Sequence, residues 1–160
     1  MNMKYMGGGN IMTTALDVAK YIVQEALRRK APVSNLKLQK LLYFVQGTYL
    51  AMYKEVAFQD KLVAWQYGPV VRDVYYAYSM FGANDIIPIE NDEIVELSPK
   101  LKNVIDLVLD KLLEASAIAL VNETHKKNSP WDQVYLNETI NTDSIAEYFL
   151  NNYAQVKSNE

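Results

Sequence analysis

SNLKLQKLLYFVQGTYLAMYKE, residues 34–55, decides how the rest of the chain is read. Ser34 or Asn35 can cap a helix, and Leu38, Leu41, Leu42, Val45, Tyr49 and Met52 recur at helical spacing as one apolar stripe. A helix this long needs partners on its apolar face, so the flanks are read for them. Upstream, Thr14 with Asp17 three positions on approximates a capping box. Leu16, Ala19, Ile22, Val23, Ala26 and Leu27 then predict a first amphipathic helix, ending near Arg29 before Pro32. Downstream, KLVAWQYG is short, β-branched and aromatic, and it closes on Gly68-Pro69, which predicts a strand near 62–67. PVVRDVYYAYSMFG then returns to helical character, with Pro69 placed in a first turn and Gly82 as a C-cap.

IIPIENDEIVELS predicts a small β-hairpin near 86–97, its first arm limited to an edge by Pro88, with Glu90, Asp92, Glu93 and Glu96 as a solvated rim. The clearest helix is Lys100 to Glu114, where Leu101, Val104, Ile105, Val108, Leu109, Leu112 and Leu113 repeat without interruption after the cap Ser98 and the starter Pro99. Ser116 opens a short helix ending near His125. Ser129-Pro130-Trp131-Asp132 opens a further turn, and TDSIAEYFLNNY gives a last helix with Ile145, Tyr148, Phe149 and Tyr153 on one face. The expected fold is therefore mainly α: a single multi-helix domain over 13–154 with a small β element. A loose leader with GGG at 7–9 covers 1–12, and a flexible tail covers 155–160.

Composition narrows the function class. The chain has 160 residues, enough for one sizeable core; it is 50% hydrophobic and 22% charged, as soluble globular proteins are. No apolar run is long enough to span a bilayer, and MNMKYMGGGNIM lacks the apolar core of a signal peptide, so the expected location is the cytoplasm and no membrane partner is expected. The absence of cysteine removes disulfides, thiolate metal sites and cysteine nucleophiles. A net charge of -3 makes no global case for nucleic acid as a partner; the one local basic candidate is the RRK run at 28–30 with Lys37 and Lys40.

No catalytic residue, metal site or cofactor is expected. His125 is the only histidine, and only Glu123 and Asp132 flank it as carboxylates. No G-x-S-x-G elbow, P-loop or G-x-G-x-x-G is present, and Thr124, Ser116 and Ser129 read as caps. The unusual feature is aromatic: of 12 tyrosines, seven fall at positions 43, 49, 53, 67, 75, 76 and 78, and tyrosine serves both wet cores and interfaces.

Three stretches in order, LKLQKLLYFVQGTYLAMY at 36–53, AWQYGPVVRDVY at 64–75 and THKKNSPW at 124–131, resemble the Panacea antitoxin domain, also called SocA-like or phage-associated GepA-type. LDVAKYIV at 16–23 and INTDSIAEYF at 140–149 resemble that family's opening and closing helices. The resemblance implies a mostly helical bacterial or phage domain that acts by binding protein: an antitoxin that neutralises a toxin encoded beside it, in some members with a protease as a second partner. An alternative is a prophage protein that inhibits or redirects a host factor; an enzyme of unknown type ranks third. Within the resemblance, Thr124 and His125 end one helix, Lys126 to Asn128 turn, and Ser129, Pro130 and Trp131 begin the next. Trp131 is then a core anchor, and His125 closes orphan carbonyls or holds the AWQYGP segment.

Two further expectations concern the tyrosine-rich stretch. Trp65, Tyr67, Gly68, Pro69 and Arg72 should form an exacting strand-to-helix unit, in which Gly68 adopts a backbone conformation denied to other residues. On a helix from Pro69, Val70, Val71, Val74, Ala77 and Tyr78 would be buried. Arg72, Tyr75, Tyr76 and Ser79 would then face outward as the partner-binding set, beside the end of the 34–55 helix.

Overall fold

A computed structural model describes residues 13–88 and 96–153. The expected leader, the tail and most of the hairpin expected at 86–97 lie outside those residues. The described part is mainly helical with one small β element: α1 (Ala15–Arg28), α2 (Asn35–Tyr53), β1 (Val63–Trp65), β2 (Gly68–Val70), α3 (Arg72–Ala77), a 3-10 turn (Ser79–Phe81), α4 (Pro99–Leu112), α5 (Ala117–Thr124) and α6 (Thr142–Asn152).

The helix starts follow local chemistry. Thr14 accepts from the Asp17 N–H while the Asp17 carboxylate accepts from the Thr14 N–H, a complete capping box. Ser34, Ser98, Ser116 and Asn141 each accept from the backbone N–H three residues on, which sets the starts of α2, α4, α5 and α6. At the other end of α1, Lys30 turns left-handed (φ 60°), its N–H donating to Leu27 O and that of Ala31 to Ala26 O; this Schellman closure stops the helix before Pro32.

α2 is the hub. Instead of one buried stripe it is buried on every side from Leu38 to Ala51, because α1, α4, α5, α6 and β2 all pack on it. Its middle meets α6 at closest approach, where an added Cβ on Gly47 would sit 2.3 Å from the Phe149 ring. Tyr43, Phe44, Phe149 and Tyr153 surround this crossing, edge to face at 5.2–6.2 Å between centroids except for the tilted Phe149–Tyr153 pair at 4.8 Å.

The segment after Trp65 departs from expectation. Pro69 does not start a helix: Gly68–Val70 folds back as β2, antiparallel to β1, pairing Val63 with Val70 and Trp65 with Gly68. Gly68 has φ +113°, and this turns the chain tightly enough for the strand to return; the helix begins only at Arg72. The other side of β1 is covered by the chain at 137–140, where the Ala64 N–H donates to Glu138 O and Asn137 N–H donates to Ala64 O. Proline is tolerated in β2 because β2 is an edge strand.

Candidate partner-binding site

Three polar residues of α2, Asn35, Gln39 and Lys40, hold the hairpin and α3 in place. Asn35 Nδ2 donates to Tyr75 O (3.0 Å), Gln39 Nε2 donates to Asn35 Oδ1 (3.0 Å), and Gln39 Oε1 accepts from the Val71 N–H (2.9 Å). Lys40, fully buried, passes its stem beneath Gly68 and donates from Nζ to Pro69 O (2.8 Å), so the free edge of β2 is closed by a side chain instead of another strand. Loss of hydration pushes the Lys40 pKa down to about 7. A Cβ on Gly68 would lie 2.8 Å from Lys40 Cε and 2.6 Å from Thr124 Oγ1. The glycine therefore serves two needs at once, a positive φ and a close approach.

The local basic candidate at residues 28–30, 37 and 40 is largely engaged within the fold. Lys40 is inside; Lys37 Nζ donates to Leu113 O; Arg28 binds Glu25, and Arg29 spans Glu25 and Asp110. Packing and nearby carboxylates engage these four cations, while Lys30 of the same run stays exposed.

The joint at 124–131 is partly as expected. α5 ends at Thr124 with His125 as its C-cap, and Asn128 takes φ 68° in the turn. Ser129, fully buried, donates its hydroxyl to Thr124 O and accepts from the Asp132 N–H, but the chain makes only this turn, with Pro130 buried in it, and not a new helix. Trp131 is half-buried against the core and performs the task expected of His125: its indole N–H donates to Trp65 O at 2.7 Å. The His125 ring stacks on Trp131 (centroids 3.8 Å apart, planes 14° apart), and its buried Nε2 has no hydrogen-bond partner among the described residues. Desolvation first, and then the Lys40 charge, lower the His125 pKa. The imidazole is thus a stacking plate for the tryptophan that pins β1.

Outside this scaffold a groove of about 810 Å³ opens between the start of α2, the hairpin turn, α3 and the start of α5. Trp65, Tyr67, Tyr75 and Ser79 border it, with Lys40 behind them. Trp65 packs edge to face on Tyr75 (5.0 Å) and Tyr76 (6.4 Å). Arg72, Tyr76 and Ser79 are exposed, Tyr75 is half-buried, and Val70, Val71, Val74 and Tyr78 are buried. The structure therefore brings Tyr75 and Ser79 together with Trp65 and Tyr67 in the groove, while Tyr76, packed on Trp65 and Tyr75, and Arg72 lie outside its lining. The start of α2, not its end, adjoins this face, because Asn35 reaches Tyr75 there. Sequence reasoning missed the roles of Lys40, Gln39 and Asn35; the signal was polar residues at i, i+4 and i+5 on a mostly apolar helix.

Among the described residues no three His, Asp or Glu side chains gather as a metal would require, and no helix is long and apolar enough to cross a membrane. The family model for the antitoxin SocA-like Panacea domain matches residues 38–132, a span containing most of α2, the hairpin, most of the groove lining and the His125–Trp131 joint. Antitoxin SocA of Caulobacter vibrioides (strain NA1000 / CB15N) is 33% identical over 127 residues, covering 73% of this chain and 68% of that protein. No solved structure matches the chain. The chain belongs to the SocA-like Panacea antitoxin domain family.

Proposed function

We propose that the protein is a non-enzymatic antitoxin that neutralises a cognate toxin by direct binding in the cytoplasm, through the face carrying Arg72, Tyr75, Tyr76 and Ser79. Membership of an antitoxin family carries the reading, since its relative is itself named an antitoxin. The face is supported by its chemistry. Tyr67 and Tyr76 are 58% and 61% exposed although each could bury a large ring, and both stand beside the half-buried Trp65. Tyrosine, tryptophan and arginine are the types that dominate binding hot spots, because they bury much area while keeping a directional polar end.

The test pairs growth with binding. Inducing the gene adjacent to this one should arrest growth, and co-expression of this chain should relieve the arrest through a complex that survives gel filtration. Arg72→Ala and Tyr76→Ala should each weaken that complex by at least about 1 kcal/mol without lowering the melting temperature. No relief and no complex would overturn the antitoxin reading; normal binding by both variants would move the interface to another face. A protease that degrades the toxin only when this chain is present would extend the role to that of an adaptor.

A further inference from the structure

The joint at 124–131 reaches the partner-binding face through one residue, Trp65, the last of β1. The Trp65 ring packs edge to face on Tyr75 (5.0 Å) and Tyr76 (6.4 Å), and those two rings pack on each other (5.6 Å). Its carbonyl accepts the Trp131 indole N–H at 2.7 Å. Trp131 therefore grips the backbone that carries the central ring of the aromatic cluster. Tyr75 is held in the same manner, since Asn35 Nδ2 donates to Tyr75 O at 3.0 Å. Two rings on two separate elements are thus each fixed from behind, by a side chain bonded to their own carbonyl.

Trp131 is itself set in place by local bonds. Ser129 donates its hydroxyl to Thr124 O and accepts from the Asp132 N–H, and the Asp132 carboxylate accepts from the Asn128 N–H, which closes the turn before the tryptophan. His125, fixed as the α5 C-cap with its own N–H on Val121 O, lies flat on the indole at 3.8 Å. An indole N–H lies in the ring plane, so fixing that plane restricts the direction of donation. The buried His125 Nε2 has no hydrogen-bond partner among the described residues, so at that nitrogen the imidazole serves as a flat surface and not as a donor or acceptor. Exposed rings that must be ordered at the moment of binding cost affinity, because each one immobilised loses conformational entropy. Tyr76 is 61% exposed and its aromatic neighbours are Trp65 and Tyr75, so whatever fixes Trp65 also limits Tyr76.

We propose that Trp131, braced by His125, is a positioning residue for partner binding: it orders Trp65, and through Trp65 the rings of Tyr75 and Tyr76, before the partner arrives. The proposal rests on the protein-binding role of that face, and Trp131 itself touches no partner atom. Kinetics separate positioning from contact. If only a fraction of the free chains carries the ordered face, affinity falls by that fraction and the loss appears in association. A lost contact residue appears mainly in dissociation.

The experiment uses the full chain, with the product of the adjacent gene as the binding probe. Trp131→Phe keeps an aromatic ring for His125 to cover and removes the indole donor. In the free variant, the aromatic NMR signals of Tyr75 and Tyr76 should move toward those of unstructured tyrosine. Those of Tyr49 and Tyr53, packed on each other elsewhere, should stay. With the probe, the association rate should fall at least about fivefold while dissociation stays within about twofold. Tyr76→Ala should instead raise the dissociation rate. In a Trp65→Ala background Trp131→Phe should slow association no further, because the ring through which it acts is gone. His125→Ala should slow association in the same way, and His125→Phe should restore it; should either tryptophan variant fail to fold, this pair decides with the same readouts. Unchanged Tyr75 and Tyr76 signals, a loss confined to dissociation, or an equal slowing in the Trp65→Ala background would each overturn the proposal. A lower melting temperature with unchanged rates would make Trp131 a core anchor alone, and the antitoxin reading would stand. If the wild type forms no complex, the antitoxin reading fails by itself, and the Tyr75 and Tyr76 signals of the free chain still decide whether Trp131 orders the face.

Discussion

Two glycines mark the closest approaches to α2, and they do opposite jobs. At Gly47 the helix itself gives up a side chain so that the Phe149 ring of α6 can occupy the space, and the contact is entirely apolar. At Gly68 the hairpin gives up the side chain so that a lysine stem of α2 can pass, and the contact ends in a charged-group hydrogen bond to Pro69 O. Lys40 and Gly47 are seven residues apart, two turns along one side of the same helix. One crossing is built to be stable and the other to hold an extended segment in a fixed place. Aromatic packing is insensitive to pH and gains from area alone, whereas the lysine crossing depends on hydration and protonation.

The aromatic crossing should show the largest effect. Phe149→Ala should cost about 3–5 kcal/mol in denaturant unfolding, since it empties the space between α2 and α6. Gly47→Ala should cost about 1–3 kcal/mol despite the better helix propensity of alanine, because its Cβ meets the ring. In the Phe149→Ala background that cost should vanish or reverse. Additive losses would mean that the glycine and the ring are not coupled.

At the lysine crossing, Gly68→Val should destabilise by about 1–3 kcal/mol, since φ +113° is strained for any β-branched residue and the Cβ would strike Thr124 and Lys40. An unchanged melting midpoint would show that the hairpin can relax without cost.

The pH dependence of the lysine crossing sharpens the contrast most. The Lys40 pKa is lowered from 10.5 in the unfolded chain to about 7 in the folded one, so between these values the unfolded state binds more protons and stability rises with pH. Below about pH 7 both states are protonated and the penalty is felt in full. Comparing pH 7 with pH 9, the wild type should therefore gain stability relative to Lys40→Met, measured as the difference in their melting temperatures at each pH. The lowered pKa of Lys37 is common to both chains and cancels. A difference that stays constant with pH would mean that Lys40 is already hydrated in the fold. Phe149→Ala should lack any comparable pH dependence.

Legibility followed how local the physics was. The starts of α1, α2, α4 and α5 were readable because each cap closes its own backbone within three residues, and α1 and α4 because one face packs while the other stays wet. The left-handed need at Gly68 was readable from Gly-Pro after an aromatic strand, and its φ is positive. Within the candidate site, Arg72, Tyr76 and Ser79 are outward and Val74 and Tyr78 buried as helical spacing implied, Tyr75 and Ala77 are half-buried, and Val70 and Val71 are buried in and after β2, not on a helix, which starts three residues later than Pro69.

What the sequence by itself determined is the family, the helix starts and the mainly α class, because caps, periodicity and short motifs are properties of neighbouring residues. Only the tertiary structure decided that α2 is enclosed on all sides, that Lys40 is buried against the hairpin and not part of a basic face, and that Trp131 instead of His125 holds the hairpin. Each of those depends on a partner far away along the chain: Pro69 is 29 residues from Lys40, and Trp65 is 66 from Trp131. A lysine reads the same in sequence whether it meets water or a carbonyl, and the difference arises only when another segment displaces the water around it.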